Sequence, residues 1–325
     1  MKFEQKNITI IGGGSWGSAL ASVLSDNGYN VLQWMRKTED VNLLNLEHKN
    51  KYFDGFIFKD NVKATDDLDI AFGFSKVILI AIPIKTINIV LASYLTRYKD
   101  SIYIMSSKGL YEGESLSQLF YDYYRIVNYC ILSGPSFAIE VMNKKNTAVV
   151  VAAKNYEIAS YVQDIFNNNY FKVYTSDDVL GVEYCGAIKN VYAIVSGMMD
   201  YEKMGNNTKN AVLTRCLHEI ARLIKFIGAK IDTVLGLAGI GDLMLTCSSS
   251  ESRNYSYGYN FAKDRKPKGT VEGLNTLEVI HDFCVKHELD MPIVNSLYKI
   301  INGDSTIEIE TDYLMNREKK DESTY

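Results

Sequence analysis

The stretch that decides the fold is Ile8-Thr9-Ile10-Ile11-Gly12-Gly13-Gly14-Ser15-Trp16-Gly17. Its first four residues predict a short buried strand, and the Ala-, Leu- and Val-rich residues 18–24 predict a helix directly after the glycines. Gly12 permits a tight turn, Gly14 lets the backbone approach a pyrophosphate, and Gly17 lets the helix pack against the strand. A purely structural glycine turn is the alternative. The strand before and the helix after favour a dinucleotide-binding turn, with the phosphates at the helix amino terminus.

The residues after the second predicted strand bear on the choice of dinucleotide. Asn27-Gly28 suits a left-handed cap at the end of the first helix, and residues 31–35 predict the next strand. Arg36-Lys37 follows, and the first acidic residue comes only at Glu39. A site for NAD usually carries an acid here to accept from the ribose 2′-hydroxyl, whereas an arginine can hold a 2′-phosphate. Unless Arg36 is a solvated loop charge, it favours NADP or the use of both cofactors.

Polar loops follow the next predicted strands. A strand at residues 102–105 leads into Ser106-Ser107-Lys108-Gly109, and one at 130–133 leads into Gly134-Pro135-Ser136-Phe137-Ala138. The run at 77–82 is continuously apolar, which is typical of a parallel strand covered on both faces. Ligands bind at the carboxyl ends of parallel strands. Lys108 and Ser136 are therefore expected to face the nicotinamide end of a cofactor, with structural turns as the alternative.

Strand patterns give way to helical patterns near the middle of the chain. Residues 148–153 and 171–174 predict two closing strands around a helix at 157–166. Thr175-Ser176-Asp177-Asp178 is a helix-start signal, and helices are predicted at 179–199, 210–226 and 274–285. The sequence therefore predicts an α/β domain of Rossmann type over residues 1–176, followed by an all-α domain over residues 177–325.

The first of these helices contains Gly186-Ala187-Ile188-Lys189-Asn190 among small and apolar residues. Burying an amine is costly unless it is paired or its pKa falls, so Lys189 is a candidate for chemistry. The alternative is that its stem covers apolar surface while its amine stays in water.

A second unusual segment is Leu237-Ala238-Gly239-Ile240-Gly241-Asp242, where an acid follows two glycines among apolar residues. This pattern indicates a carboxylate held close to backbone. Ser252-Arg253-Asn254 lies a little further on, and a guanidinium can fork onto a phosphate. Singly, Asp242 could be a helix cap and Arg253 a surface charge. Together with Lys189 and the glycine turn they indicate an active site.

Composition excludes several classes of protein. The 325 residues carry a net charge of −4 with acids and bases mixed, which argues against a nucleic-acid binder or a polybasic membrane anchor. Five scattered cysteines without a CxxC pair indicate a reducing compartment. The four histidines show no metal-ligand spacing, so no metal is expected and acid–base chemistry rests on Lys, Asp or Glu. The longest apolar run, at 77–84, is far shorter than the ~20 residues of a membrane span. We therefore expect a cytoplasmic protein.

In their order along the chain, these motifs resemble those of the bacterial-type NAD(P)-dependent glycerol-3-phosphate dehydrogenases. The resemblance covers almost the whole chain. It is carried by Gly12-Gly13-Gly14-Ser15-Trp16-Gly17, Ser107-Lys108-Gly109, Gly134-Pro135-Ser136-Phe137-Ala138, Gly186-Ala187-Ile188-Lys189-Asn190, Gly239-Ile240-Gly241-Asp242-Leu243, Ser252-Arg253-Asn254 and Val271-Glu272-Gly273.

The resemblance implies a Rossmann domain followed by a helical domain like the C-terminal domain of 6-phosphogluconate dehydrogenase. It implies the interconversion of dihydroxyacetone phosphate and sn-glycerol 3-phosphate with NADP(H) or NAD(H), in the supply of phospholipid backbones. A homodimer is expected as well.

The resemblance also implies individual roles. Lys189 resembles the catalytic acid–base, Lys108 a second lysine that contacts cofactor and substrate, and Asp242 a carboxylate that orients the reacting end. A lysine that is partly desolvated near another cation can have its pKa lowered toward neutrality, which suits acid–base work. The other implied contacts are Gly134, Ser136, Ser252, Arg253 and Asn254 for the substrate, and Gly12, Gly14, Ser15, Trp16, Gly17, Arg36, Lys108, Ala138, Arg253, Thr270 and Glu272 for the cofactor.

Two other functions compete with this one. A 3-hydroxy acid or 6-phosphogluconate type dehydrogenase also joins a Rossmann domain to helices and uses a buried Lys-Asn pair, but Asp242 and Ser252-Arg253-Asn254 favour a glycerol phosphate. A catalytically silent dinucleotide sensor would keep the three glycines. It would have no reason to carry two lysines, an aspartate and an Arg-Asn pair at the expected site.

Overall fold

The computed structural model describes residues 6–111, 113–261, 263–264 and 269–318. The chain divides into two compact units. The first comprises the chain up to Lys108 together with Ser115–Val182, and the second comprises Gly109–Glu114 and the chain from Glu183 onward. The domain boundary expected at residues 176 and 177 falls at the end of the last strand and stays a prediction.

Within the described ranges, the strands of the first unit form one eight-stranded sheet in the order β3-β2-β1-β4-β5-β6-β7-β8. Neighbouring strands run parallel except β6 and β7, which pair antiparallel. Helices alternate with the strands along the chain, so the predicted Rossmann-type fold is confirmed. The strands are β1 Asn7–Ile11, β2 Asn30–Trp34, β3 Val62–Thr65, β4 Val77–Ile80, β5 Ile102–Met105, β6 Tyr129–Ser133, β7 Thr147–Ala152 and β8 Phe171–Ser176. The helices are α1 Ser15–Asp26, α2 Thr38–Glu47, α3 Leu68–Phe74, α4 Ile84–Arg97, α5 Leu116–Asp122, α6 Ala138–Met142 and α7 Tyr156–Phe166.

The central strands match the sequence patterns closely. Every residue of β4 is buried, as its continuous apolar run indicated, because a parallel strand in mid-sheet is covered on both faces. Pro83, which follows the apolar run, lies at the amino-terminal cap of α4. Gly28 has a φ of +84°, which confirms the left-handed cap expected after α1.

The second unit is helical, which confirms the predicted order of fold types along the chain. None of the helices in the described ranges combines the length and the apolar character that crossing a bilayer requires. The helices are α8 Val179–Tyr201, which begins in the first unit, α9 Asn206–Phe226, α10 Ile231–Val234, α11 Asp242–Cys247, α12 Arg253–Asn260, α13 Glu272–His287, α14 Pro292–Asn302 and α15 Ile307–Met315, with a π-helical turn at Leu237–Gly241.

A buried carboxylate caps the amino terminus of helix α14. Glu219 of α9 accepts hydrogen bonds from the backbone N–H groups of Ile293 (2.6 Å) and Val294 (3.3 Å) and from the Tyr192 hydroxyl (2.9 Å). The helix has no side-chain cap of its own, so Glu219 satisfies two of its open donors. Burial raises the pKa of Glu219 to about 7, although the three donors favour the ionised form.

Glu219 should make stability depend on pH. Its folded-state pKa lies above the ordinary value of 4.5, so the folded protein binds this proton more tightly than the unfolded chain does. We expect the free energy of unfolding to fall by up to about 3 kcal/mol from this group as pH rises from 4.5 to 7.

Urea unfolding at pH 5 and pH 7.5 measures this fall. Glu219→Gln lacks the titrating carboxyl group, so its free energy of unfolding should not show this fall. Glu310→Gln removes another buried glutamate but keeps Glu219, and should retain it. The same pH dependence in Glu219→Gln as in the unchanged protein would contradict the assignment.

Candidate active site

The glycine turn joins β1 to α1, and two of its glycines exclude a side chain. Gly12 has a φ of +133°, and a Cβ there would lie 2.5 Å from the carbonyl oxygen of Ala81. A Cβ on Gly17 would overlap the carbonyl oxygen of Gly12. At Gly14, by contrast, no atom lies within 4 Å of the position that a Cβ would take. The turn is therefore tightly packed at Gly12 and Gly17, and its open side is the side at Gly14.

The amino terminus of α1 offers donors to whatever occupies that open side. Its cap residue, Gly14, provides no side-chain hydrogen bond, and the first turn has no acidic residue. The first bond inside the helix runs from Ser18 N to Gly14 O (3.0 Å), so the N–H groups of the preceding turn have no partner inside the helix. The buried indole Nε1 of Trp16 also has no partner in the described part of the chain. The open backbone N–H groups fit the pyrophosphate of a dinucleotide.

The charges after β2 are exposed cations. Arg36 and Lys37 are both exposed, and neither side chain has an ion pair or hydrogen bond among the described residues. Glu39, the first acid after the strand, belongs to the first turn of α2, where a negative charge favours the helix dipole. Two exposed cations thus follow β2, which fits a 2′-phosphate.

The loops after β5 and β6 meet at one carbonyl group. Lys108 Nζ donates to the carbonyl oxygen of Gly134 (3.3 Å), and Ser136 Oγ donates to the same oxygen (3.2 Å). Gly134 has a φ of +143°, and a Cβ there would lie 2.9 Å from Cα of Val149, so the position favours glycine. The structure therefore brings together Lys108, Gly134 and Ser136, as the sequence suggested. Ala138 is the first residue of α6.

In the second unit, Lys189 and Asp242 form a buried ion pair. Lys189 is 6% exposed and Asp242 1%, which rules out an amine in water. The Lys189 ammonium donates to Asp242 Oδ1 and to Thr246 Oγ1, the latter at 2.7 Å. The Thr246 hydroxyl donates in turn to the Asp242 carbonyl oxygen (2.6 Å). Two of the three donors of the amine are thus held in fixed directions.

The ion pair dominates the electrostatics of this cluster. Lys189 is desolvated, and its amine is bonded to the Asp242 carboxylate. The neighbouring thiol is inert, because burial raises the pKa of Cys247 to about 12 even though Lys189 and Lys209 act to lower it. In the described ranges no group of three or more His, Cys, Asp or Glu residues could hold a metal ion.

A buried amide network joins the helices that carry the remaining motifs. Asn254 Nδ2 donates to Asn190 Oδ1 (2.9 Å), and Asn254 Oδ1 accepts from Gly273 N (2.9 Å). A Cβ on Gly273 would lie 2.6 Å from the Asn190 carbonyl oxygen, so the backbones approach closely here. The network fixes α8, α12 and α13 to one another. Arg253 and Glu272, the first residues of α12 and α13, lie beside it.

Arg253 and Thr270 are solvent-facing. Arg253 is exposed and has no partner among the described residues. It directly follows Ser252, whose Oγ caps α12 by accepting from Tyr255 N (3.3 Å). Thr270 is exposed in the segment before α13. Arg253 therefore presents a free guanidinium at the amino end of a helix.

Family models for the N-terminus and the C-terminus of NAD-dependent glycerol-3-phosphate dehydrogenase match residues 7–159 and 178–311. This chain belongs to that family. It is 36% identical over 331 residues to the glycerol-3-phosphate dehydrogenase (NAD(P)+) of Alcanivorax borkumensis, covering 98% of this chain and 96% of that protein. It is 38% identical over 333 residues to the protein of the same name from Staphylococcus epidermidis, covering 98% and 100%.

Solved structures agree. The crystal structure of glycerol-3-phosphate dehydrogenase from Coxiella burnetii matches with a TM-score of 0.89 at 31% identity, covering 96% of this chain and 99% of that one. A D-mandelate dehydrogenase matches with a TM-score of 0.63 at 15% identity, covering 95% and 99%. At that identity the likeness shows the fold alone.

One residue and one pairing in this dehydrogenase's buried clusters were not predicted from sequence. Thr246 lies four residues after Asp242 on α11, so both face the same side of the helix, and that spacing was a usable signal. Asn190 follows Lys189 in the quoted motif, but its partner Asn254 lies 64 positions away. Nothing in the sequence indicates that pairing.

The buried ion pair should show as a strong coupling between its two residues. We expect Lys189→Met or Asp242→Asn alone to lower the free energy of unfolding by about 3–5 kcal/mol, because each leaves one buried charge without its partner. The double variant leaves neither charge and should lose much less than the sum.

Urea unfolding of the four proteins measures the coupling. The more exposed pair Lys209–Asp200, with side chains 17% and 31% exposed, is the control, and its cycle should give less than about 1 kcal/mol. Additive losses at Lys189 and Asp242 would contradict a coupled buried pair.

Proposed function

We propose that this chain reduces dihydroxyacetone phosphate to sn-glycerol 3-phosphate with NADPH or NADH, and catalyses the reverse reaction. The observation that carries the proposal is the buried cluster of Lys189, Asp242 and Thr246, in a chain that also holds a dinucleotide-binding turn. The names of the relatives in the family support the substrate. A bound nicotinamide dinucleotide supplies the hydride for C2 of the substrate, or accepts it in the reverse direction.

Lys189 is proposed as the acid and base of the reaction. When the C2 carbonyl is reduced, its oxygen gains negative charge and needs a proton, which an ammonium can donate. Asp242 holds the Lys189 amine through Oδ1, and the Thr246 hydroxyl accepts a second N–H at 2.7 Å. These bonds fix where the amine lies before substrate arrives, so little reorganisation is needed during proton transfer. In the oxidation of sn-glycerol 3-phosphate the amine takes the proton back.

Arg253 is proposed to bind the substrate phosphate. Its guanidinium is exposed, carries no competing partner among the described residues, and lies in the first turn of α12, where the helix dipole also favours an anion. Ser252 and Asn254 flank it. Asn254 has both ends of its amide bonded within the protein, so it also holds Arg253 in place.

The other predicted contacts keep their proposed roles. Lys108, bonded to the Gly134 carbonyl, is proposed to contact both substrate and cofactor, with Gly134 and Ser136 at the substrate. The proposed cofactor contacts are Gly12, Gly14, Ser15, Trp16, Gly17, Arg36, Ala138, Arg253, Thr270 and Glu272.

We further propose that the enzyme supplies glycerol phosphate for phospholipid synthesis, in the cytoplasm and as a homodimer. None of the five cysteines is in a disulfide bond and all are buried, which fits a reducing compartment. Sn-glycerol 3-phosphate is the backbone on which glycerophospholipids are built.

The reaction itself is tested by mixing purified protein, dihydroxyacetone phosphate and NADPH or NADH, and following the loss of nicotinamide absorbance. We expect rapid oxidation. Lys189→Met should lower kcat by at least about 100-fold, because the proton donor is removed, while the Kd for NADPH stays close to that of the unchanged enzyme.

Lys209→Met is the matched control. It removes another partly buried, ion-paired lysine of the same unit and should leave kcat within about threefold, since no proton transfer is assigned to it. No oxidation with either cofactor would overturn the proposed reaction, and near-normal turnover in Lys189→Met would remove the acid–base role.

Arg36 should determine how strongly the 2′-phosphate is bound. We expect Arg36→Ala to weaken NADPH by on the order of tenfold or more, because a charge-assisted hydrogen bond is lost, and to leave NADH nearly unaffected. The Kd values for both dinucleotides measure this difference. Lys85→Ala, elsewhere on the first unit, is the control for a general loss of positive charge. Equal losses for the two cofactors would show that Arg36 does not contact the 2′-phosphate.

A further inference from the structure

We propose that Gln33 of β2 is a positioning residue for the dinucleotide, because it holds the glycine turn in shape through the carbonyl group of Gly12. The proposal rests on the NAD(P) site of the proposed function. Gln33 lies outside the glycine motif, and the proposed function assigns it no contact on the open side of the turn.

Gln33 is a polar side chain in an apolar place. It is fully buried, and Val31 and Met35, two positions before and after it, belong to the hydrophobic core. A buried amide is costly unless it is hydrogen-bonded. Its Nε2 group donates to the Gly12 carbonyl oxygen (2.7 Å) and to Ser18 Oγ (3.0 Å). Its position in the core is therefore explained by what it binds.

Residues of β2 form hydrogen bonds with both backbone polar groups of Gly12. The Gly12 N–H donates to the carbonyl oxygen of Trp34 (3.1 Å), and the Gly12 carbonyl accepts from Gln33. A Cβ on Gly17 would overlap that same carbonyl oxygen, so α1 closes over it. Without Gln33 the Gly12 carbonyl would lose this buried hydrogen bond.

Fixing this carbonyl also fixes the direction of a donor. In a planar trans peptide the C=O and the following N–H point to opposite sides. Gln33 holds the Gly12 carbonyl toward the core, so the N–H of Gly13 is directed the other way, toward the open side of the turn. Met35 packs against the same peptide, because a Cβ on Gly13 would lie 2.5 Å from its Cγ. The turn is thus braced at two consecutive residues.

Gln33 is itself held by a small buried network. Ser18 Oγ lies 3.4 Å from Gln33 Oε1 and accepts from Asn50 Nδ2 (2.8 Å). Asn50 Oδ1 accepts from the backbone N–H of Tyr52 (3.0 Å). The network links the turn to α1 and to the loop after α2. Such links reduce the number of conformations that the turn can adopt, so less ordering is needed when a ligand binds.

The test compares two buried hydrogen bonds on neighbouring strands. Gln33→Met keeps the approximate volume but removes the donor to Gly12. Thr9→Val is the matched control: Thr9 is fully buried in β1 and donates to the Ala71 carbonyl oxygen (2.8 Å), away from the turn. Titration calorimetry measures the Kd for NADPH, thermal unfolding measures the loss of stability, and steady-state rates give KM and kcat.

We expect Gln33→Met to raise the Kd and the KM for NADPH by on the order of tenfold, the effect of one buried hydrogen bond, with kcat within about twofold. Thr9→Val should lower the thermal midpoint by about as much as Gln33→Met does, and should leave the Kd for NADPH unchanged within about twofold. Ser18→Ala keeps the bond to Gly12 but loosens Gln33, and should raise the Kd about two- to threefold.

The outcomes separate the two proposals. An unchanged Kd in Gln33→Met, with the original protein binding NADPH, overturns the positioning role and leaves the proposed function standing. An equal rise in Kd for Thr9→Val also overturns it, because the effect would then follow stability alone. Should Gln33→Met not fold, an unchanged Kd in Ser18→Ala overturns the role. Failure of the original protein to bind either dinucleotide overturns the proposed function together with this inference.

Discussion

The second unit depends on burying a charged amine. An ammonium inside an apolar helix is tolerated only with a carboxylate beside it, and Asp242 must be delivered from another helix. The chain delivers it through the π-helical turn before α11, where Gly239 has φ −91° and ψ −106°. A Cβ on Gly239 would overlap the carbonyl oxygen of Val234, so a side chain there would displace the turn. Gly239 is thus explained by the position of one carboxylate.

The same constraint extends along α8. This helix is buried on most of its surface, and three of its other polar side chains are paired to different helices: Asn190 to Asn254, Tyr192 to Glu219, and Ser196 to the carbonyl of Cys247. Each bond satisfies a buried group and at the same time sets the distance to a neighbouring helix. Where α12 crosses α8, Gly258 lies so close to Ile194 that a Cβ would overlap its carbonyl oxygen. The helices that carry the proposed substrate residues are therefore positioned by polar pairs and backbone contact rather than by apolar packing alone.

The sequence could predict those features that depend on residues close together along the chain. The glycine turn and the central strands were predicted because their signals are local, and the strand ends differ from the structure by one or two residues. Strand β3 was missed, since it has only four residues and lies at the sheet edge with Lys63 exposed, so its apolar pattern is short. The sequence left undecided whether Lys189 is buried. Its pairing partners were not predictable, because they are separated from it by more than 50 positions. Gln33 gave no signal at all, because a polar residue in a strand usually marks a solvent-facing position.

The two units use different physical means at their proposed sites. In the first, the donors at the open side of the turn are backbone N–H groups, which carry no charge to titrate and cannot be altered by substitution; only their direction can change. Binding there depends on conformation, and conformation is held by neighbours such as Gln33 and Met35 that sit behind the turn. In the second unit the central groups are charged side chains, Lys189 and Asp242, whose protonation is part of the chemistry. Substitutions behind the turn should therefore act on cofactor affinity at nearly constant turnover, whereas substitutions in the buried cluster act on turnover and on stability together, because the same pair that orients the proton also satisfies the buried charge.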